Sequence, residues 1–226
     1  LGGGNGGFTV AGHMALKGFG VTLWEHPDFA AGIAEIMKTK IIHVTGEGVS
    51  GDGKLEKATT DLAEAVSGVD LVVVTMPAFA QKRVAEMMAG VVKPGMTIFL
   101  CPGTTCGALA FAKVLHDKGK LKGVHICEAA TLPYGTRKSG PDSVCISKPP
   151  AKLQVAAFPG RETAEVCGML KALYDGVVPM QSVLETSLNN GNITSHPAVM
   201  VCNASHVESG QGNYHYRDGA TPSVCN

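Results

Sequence analysis

The chain opens with a glycine-rich segment, Gly2–Gly7, and an apolar helical pattern over Phe8–Lys17 follows it directly. Gly2, Gly4 and Gly7 match the pattern G-x-G-x-x-G. In that pattern the first glycine permits a tight turn, the second lets the backbone approach a pyrophosphate, and the third lets helix pack on strand. The helix N-terminus then offers free N–H groups and a partial positive charge. The segment therefore predicts a dinucleotide-binding loop.

An acidic residue ends the next extended segment, which runs from Gly20 to Glu25. Glu25 stands roughly 20 positions after the glycines, where such an acid accepts hydrogen bonds from the ribose hydroxyls and repels a 2′-phosphate. No Arg follows it closely, although a protonated His26 would soften the preference. We expect NAD as the cofactor, with NADP as the alternative.

Short β-type runs then alternate with helical patterns. The run Asp70–Thr75 is apolar and rich in β-branched residues, which is typical of a parallel strand buried on both faces. Further strands are predicted at 96–101 and 124–127, a strand pair at 144–148 and 153–158 split by Pro149-Pro150, and a last extended piece at 177–183; helices are predicted at 28–39, 80–91, 108–118 and 162–174. The alternation predicts an α/β fold with a Rossmann-type, doubly wound sheet.

The pattern changes to helix alone after Leu184, with an interruption at Pro197. We therefore predict a dinucleotide-binding domain over residues 1–183 and the beginning of a helical domain over residues 184–226. The chain starts at Leu1 without Met and stops at Asn226 without a helix-ending signal, so we expect a sequence cut at both ends.

Ligands of doubly wound sheets bind at the carboxyl ends of the strands. The loops after the strands predicted at 70–75 and 96–101 should therefore lie beside the cofactor. Each of these loops contains a proline that would shape the turn. The predicted cofactor-binding residues are Gly2, Gly4, Asn5, Gly6, Gly7, Glu25, Pro77, Ala78, Pro102 and Gly103.

Among the eight histidines, His196 has the most polar surroundings, since Ser187–Ser195 is rich in Ser, Thr and Asn. Asn192 precedes it by one helical turn, which would put an amide and an imidazole on one face. Reduction by hydride needs a proton donor and acceptor beside the reacting carbon, and His titrates in a suitable range. We expect His13, His116 and His125, by contrast, to be packing residues.

Composition excludes several functions. Lys and Arg number 19 and balance 19 Asp and Glu, with 5 % aromatic residues, which argues against nucleic-acid or anionic-membrane partners. The apolar runs are far shorter than the roughly 20 residues of a membrane span. The seven cysteines form no C-x-x-C pair, so we expect no metal site and a cytoplasmic, reducing location.

Four stretches resemble the opine dehydrogenases of the octopine/nopaline type. They are Gly2-Gly3-Gly4-Asn5-Gly6-Gly7, Val74-Thr75-Met76-Pro77-Ala78, Pro102–Leu109 together with Glu128 and Arg137, and Glu185–Asn192 followed by His196-Pro197, Cys202-Asn203-Ala204 and Glu208-Ser209-Gly210. The last stretch is the most specific. The resemblance implies an NAD-dependent enzyme that joins an amino acid to a 2-oxo acid such as pyruvate by reducing an imine.

The resemblance also implies residue roles. His196 matches the catalytic His and Asn192 a substrate-positioning amide, while Glu128 and Thr131 lie where the substrate cleft meets the cofactor. Family members have a further helical domain, whose Asp pairs with that His, and we expect the given sequence to stop before that part. Homodimer formation is compatible with the sequence.

Two alternatives remain open. A reductase of the glycerol-3-phosphate or ketopantoate type would keep the fold, but such enzymes usually use Lys as the acid, and residues 184–203 contain none. A nucleotide-binding subunit without its own chemistry is the second alternative.

Overall fold

The structure is a computed structural model that describes residues 1–148 and 152–210. The predicted strand separators Pro149 and Pro150, and residues 211–226 of the predicted helical domain, lie outside the described residues. The strands are β1 (Thr22–Trp24), β2 (Ile41–Gly46), β3 (Gly51–Lys54), β4 (Lys57–Thr59), β5 (Leu71–Val74), β6 (Thr97–Leu100), β7 (His125–Ala129), β8 (Gly135–Lys138), β9 (Ser143–Lys148), β10 (Leu153–Phe158) and β11 (Val177–Pro179).

The α-helices are α1 (Asn5–Leu16), α2 (Ala34–Thr39), α3 (Leu62–Ala65), α4 (Ala78–Met88), α5 (Gly107–Asp117), α6 (Thr163–Leu170), α7 (Val183–Leu188), α8 (Asn192–Cys202) and α9 (Ala204–Glu208). The predicted helix 28–39 begins as a 3₁₀ segment, Pro27–Ile33, and becomes α-helical only at Ala34. Two compact units result, Leu1–Leu188 and Asn189–Asn226. The domain boundary predicted at 183 lies inside the first unit.

The first unit is built on a five-stranded sheet in the order β11-β10-β7-β6-β5. Strands β5, β6 and β7 are parallel, whereas β10 is antiparallel to β7. Side chains of β6 alternate between two apolar cores: Ile98 and Leu100 belong to one, with α4 and α5, and Phe99 to the other, with α1. Both faces of the sheet are therefore covered, as the predicted doubly wound fold requires.

Leu1 and Gly2 connect this sheet to the parallel pair β1–β4. The Leu1 amino group donates to the Val73 carbonyl and Thr75 N donates to the Leu1 carbonyl (3.1 Å), while Gly2 N donates to the Trp24 carbonyl (2.8 Å). The glycine loop therefore starts between β1 and β5. A cavity of about 550 Å³ lies beside this junction and is lined by residues of both strands and of α1.

A separate four-stranded sheet, in the order β3-β2-β9-β8, packs against α1. The predicted pairing of 144–148 with 153–158 is wrong, because β9 pairs with β2 in this sheet while β10 pairs with β7 in the other. The strands were located correctly, but their partners come from remote parts of the chain. Sequence periodicity carries no information about such partners.

Three local predictions also need correction. The extended piece predicted over 177–183 ends at Pro179, because Gln181 N donates to the Glu185 carboxylate (2.7 Å) and α7 begins at Val183. The exposed His116 is not a packing residue, since its side chain is 77 % accessible. Pro197 does not interrupt the helix, because α8 continues through it from Asn192 to Cys202.

Among the described residues, no helix combines the length and apolar character needed to cross a membrane.

Candidate active site

The glycine loop is held in a shape that only glycine permits at two positions. Gly2 has φ +110, in the region that L side chains rarely adopt. A β-carbon on Gly7 would lie 1.6 Å from the Gly2 carbonyl oxygen, so the first turn of α1 is pressed against the start of the loop. These contacts explain the first and third glycines of the motif.

The middle glycine has a different environment. A β-carbon on Gly4 would meet no protein atom within 4 Å, and Gly4 is exposed at the N-cap of α1. The first turn of α1 has no acidic residue, so no carboxylate of this turn offsets the partial positive charge of the helix N-terminus. A pyrophosphate approaching the backbone would fill the space beside Gly4, and the loop therefore fits a dinucleotide.

The other loop residues fasten it to its surroundings. The Asn5 side-chain oxygen accepts a hydrogen bond from Lys138 N (2.8 Å), which ties the start of α1 to β8. A β-carbon on Gly6 would contact Thr75 at 3.3 Å, so Gly6 lies against the loop that follows β5. Asn5 thus has a structural contact in addition to its predicted cofactor role.

Glu25 follows β1 and lies against the glycine loop. One carboxylate oxygen accepts a hydrogen bond from Gly3 N (2.7 Å) and the other accepts one from His26 N (2.7 Å). Each oxygen keeps a lone pair for a further donor. The carboxylate is therefore positioned beside the loop at the end of the strand, as the ribose assignment requires.

The loops after β5 and β6 are joined by a buried amide that the sequence reasoning missed. Gln81 is 4 % exposed, and its Nε2 donates to the Pro102 carbonyl (3.0 Å) and to the Met76 carbonyl (3.4 Å). Pro77 is the N-cap of α4 and Ala78 its first residue. The two hydrogen bonds of Gln81 hold these loops together at the carboxyl edge of the sheet.

Glu128 ends up in a buried network at the same edge. Its Oε1 accepts hydrogen bonds from the Thr186 hydroxyl (2.6 Å) and the Ser187 hydroxyl (2.9 Å), and its Oε2 accepts one from Ala108 N (2.8 Å). Burial raises the pKa of the Glu128 carboxyl, and the three donors partly oppose that shift. A β-carbon on Gly103 would lie 2.4 Å from this carboxylate.

The Glu128 side chain has no accessible surface, so the carboxylate joins β7, α5 and α7. Its direct contact with a substrate stays a prediction, as does that of the half-buried Thr131, which follows β7. The motif that carried the family resemblance, Glu185–Asn192, contains Thr186 and Ser187, but spacing alone could not pair them with Glu128.

The second unit holds the remaining predicted residues. Asn192 is the first residue of α8 and its N–H donates to the Asn190 side-chain oxygen (3.1 Å), while His196 is exposed one turn later. The two therefore share a face of one helix, as their spacing predicted. Their catalytic roles stay predictions.

Across residues 1–148 and 152–210, no three His, Cys, Asp or Glu side chains cluster in a way that could hold a metal ion.

The sheet, the glycine loop and Glu25 define a Rossmann-type dinucleotide-binding domain. Residues 179–226 match the family model for the NAD/NADP octopine/nopaline dehydrogenase alpha-helical domain, and residues 1–104 match the model for the NAD-dependent glycerol-3-phosphate dehydrogenase N-terminus. The chain is 32 % identical to an opine dehydrogenase of Arthrobacter sp. (strain 1C) over 224 residues, which covers 99 % of this chain and 62 % of that protein. The chain is thus similar to an opine dehydrogenase over nearly all of its own residues, and it spans less than two thirds of that relative's length.

Solved structures of lower identity share the fold. Octopine dehydrogenase with NADH and pyruvate superposes with a TM-score of 0.76 at 24 % identity, covering 94 % of this chain and 56 % of that one. Yersinopine dehydrogenase with NADP+ has a TM-score of 0.72 at 15 % identity, covering 89 % of this chain and 51 % of that one.

Proposed function

We propose that the chain is the cofactor-binding part of an NAD-dependent opine dehydrogenase. Such an enzyme condenses an amino acid with a 2-oxo acid such as pyruvate to an imine, reduces that imine, and catalyses the reverse oxidation. The observation that carries the proposal is the glycine loop at the N-terminus of α1, where a β-carbon on Gly4 would have no neighbour within 4 Å and the Glu25 carboxylate accepts a hydrogen bond from Gly3 N (2.7 Å). The similarity of 99 % of this chain to part of the opine dehydrogenase of Arthrobacter sp. supports the reaction class.

The cofactor would be held by the glycine loop, by Glu25 and by the loops at Pro77-Ala78 and Pro102-Gly103. When bound, NADH supplies the hydride for reduction of the imine. Gly2, Gly6 and Gly7 shape the loop, and Gly4 leaves room for the pyrophosphate. Glu25 accepts hydrogen bonds from the ribose hydroxyls. Gln81 keeps the two proline loops together.

His196 is the proposed proton donor and acceptor, and Asn192 the proposed substrate-positioning amide. Loss of water during imine formation needs a proton delivered to the leaving oxygen, and an imidazole does this near neutral pH. Both residues lie on α8 within the segment matched by the helical-domain model, which supports the assignment.

The described cysteines are free thiols, which supports the proposed cytoplasmic location. The homodimer stays a prediction.

The test is NADH oxidation by the purified protein carrying this sequence, with pyruvate alone, amino acids alone, and both. Consumption that needs both substrates is expected. His196→Ala should lower turnover by about 10²–10⁴-fold, the usual range for a general acid–base, while the Kd for NADH changes by no more than a few-fold. His116→Ala, an exposed histidine on α5, is the matched control and should retain activity.

Other outcomes select the alternatives. The glycerol-3-phosphate type of reductase, whose N-terminal model matches residues 1–104, would be indicated by NADH consumption with a phosphorylated ketone and no amino acid. Binding of NADH without turnover on any substrate would indicate the non-catalytic subunit. Loss of NADH binding in His196→Ala would assign that residue a structural role.

A further inference from the structure

Arg83 reaches from α4 to the residue that follows Glu25. Its Nη2 lies 3.2 Å from His26 Nε2 and 3.8 Å from the Asp28 carboxylate. Fifty-seven positions separate Arg83 from His26. Sequence inspection around Glu25 therefore found no Arg, although the fold supplies one.

The His26 ring is held in place for this contact. Its side chain is 16 % exposed, and the ring meets Trp24 edge-on with centroids 6.2 Å apart. Asp28 N donates to the ring Nδ1 (3.2 Å), which fixes the ring with its Nε2 facing the Arg83 guanidinium. The imidazole and the guanidinium thus form a pair beside the predicted ribose acid.

Glu25 repels an approaching anion less strongly than a carboxylate without hydrogen bonds or nearby positive charge would. Both of its oxygens already accept a backbone N–H, from Gly3 and from His26. Lys138 lies near enough to interact electrostatically with this carboxylate, and its ammonium donates to the Gly32 carbonyl (3.0 Å). Hydrogen bonds and positive charge on this side of the loop offset part of the negative charge of Glu25.

The Arg83–Asp28 contact is one that a ligand can replace. The guanidinium and the carboxylate are 65 % and 66 % exposed and 3.8 Å apart, so solvent screens their attraction. A phosphate accepts two parallel hydrogen bonds from a guanidinium and would bind it more strongly than this distant carboxylate does.

We propose that Arg83 and His26 form a subsite for the 2′-phosphate of the adenosine ribose, so that the protein binds NADPH as well as NADH. The proposal rests on the dinucleotide binding proposed above and adds two residues that decide cofactor choice. Asp28 tunes the subsite by competing for Arg83. Glu25 and the phosphate occupy neighbouring positions, and the positive charge of Arg83, between α4 and the end of β1, compensates their repulsion.

The test is a fluorescence titration of NADH and NADPH, without substrates, into the wild-type protein and its variants. Wild-type protein should bind both dinucleotides. Arg83→Ala should raise the Kd for NADPH by about tenfold or more, which is the usual effect of deleting a hydrogen bond to a charged group, and change the Kd for NADH less than about twofold. Asp28→Asn should lower the Kd for NADPH.

Lys82→Ala is the matched control, since Lys82 is a neighbouring exposed cation on α4 that pairs with Glu86 at 4.0 Å. It should leave the ratio of the two constants unchanged. Equal weakening of both dinucleotides in Arg83→Ala would overturn the proposal in favour of contact with the adenine. Binding of NADH but not of NADPH by wild-type protein would also overturn it, whereas binding of neither would overturn the proposed function itself.

Discussion

Thr186 donates a 2.6 Å hydrogen bond to the carboxylate of Glu128, joining α7 to the carboxyl end of β7 across 58 positions of sequence. Ser187 donates to the same oxygen, and its own hydroxyl accepts from Cys106 N (2.9 Å). One buried carboxylate therefore connects the sheet edge that carries the proposed cofactor-binding loops to the last helix of the first unit. Any displacement of α7 would leave this carboxylate short of donors inside the protein.

Glu128→Gln should flatten the pH dependence of stability. Burial raises the pKa of Glu128 above its unfolded value of 4.5, so the folded protein keeps a proton that the unfolded chain releases. This contribution is complete below pH 4.5, and the free energy of unfolding falls as the pH rises from there through the folded pKa. Glutamine has a similar shape and no charge, so urea unfolding at several pH values should show a smaller fall.

The control is Glu165→Gln, which replaces an exposed carboxyl on α6 and should keep the wild-type pH slope. Thr186→Val should unfold at a lower urea concentration than wild type at neutral pH, because it removes a donor from the buried charge. An unchanged pH slope in Glu128→Gln would contradict the assigned burial effect.

Gly4→Ala and Gly7→Ala should separate cofactor binding from folding. At Gly4 a β-carbon meets no protein atom within 4 Å, so the alanine variant should keep the wild-type Tm and lose NADH affinity by about tenfold or more, because it would occupy the space of the pyrophosphate. At Gly7 the β-carbon would be 1.6 Å from a backbone oxygen. That variant should lose more stability than the roughly 1–3 kcal/mol of ordinary overpacking. Thermal unfolding and NADH titration of both variants measure the two effects, and tight NADH binding by Gly4→Ala would remove the pyrophosphate assignment.

The sequence alone could predict the features that depend on local spacing. The glycine turn before α1, the strand that precedes Glu25 and the strands at the centre of the sheet were located correctly, because tight turns and apolar runs depend on neighbouring residues. The partners of 144–148 and the donors to Glu128 were not, because they depend on which remote segments meet in the fold. The hydrogen bonds of the Gln81 amide could not be predicted either. The position of Gln81 in its helix indicates that it is buried, but not which carbonyls it reaches.

His13→Gln and His43→Gln should change the pH dependence of stability in opposite directions. Burial and the nearby Lys17 lower the pKa of His13, which contacts Tyr134 at 2.7 Å, so stability falls as the pH drops below 6.5 and the unfolded chain gains a proton. The hydrogen bond that the exposed His43 donates to the Asp52 carboxylate raises the pKa of His43, so its contribution is present below pH 6.5 and lost as the pH rises through the folded pKa. Unfolding free energies between pH 5 and 8, as a rough range around the normal His pKa, should show a smaller acid loss for His13→Gln and a larger one for His43→Gln.

Replacing the buried Gln81 should weaken the proposed cofactor site indirectly, through the two loops that this side chain joins. Its amide donates to the carbonyls of Met76 and Pro102, and Gln81→Leu would leave both without this donor in a buried setting. We expect a loss of about 1–3 kcal/mol of stability, the usual cost of an unsatisfied buried polar group. Because the two proline loops would no longer be tied together, the Kd for NADH should rise more than it does in other variants of equal stability loss.

Gln81→Glu should lose more stability than Gln81→Leu, since a carboxylate would face two carbonyl oxygens. Lys82→Ala, one position along and 76 % exposed, is the control in the same thermal and NADH titrations, and a Gln81→Leu protein with unchanged NADH affinity would show that the loops hold their positions without this amide.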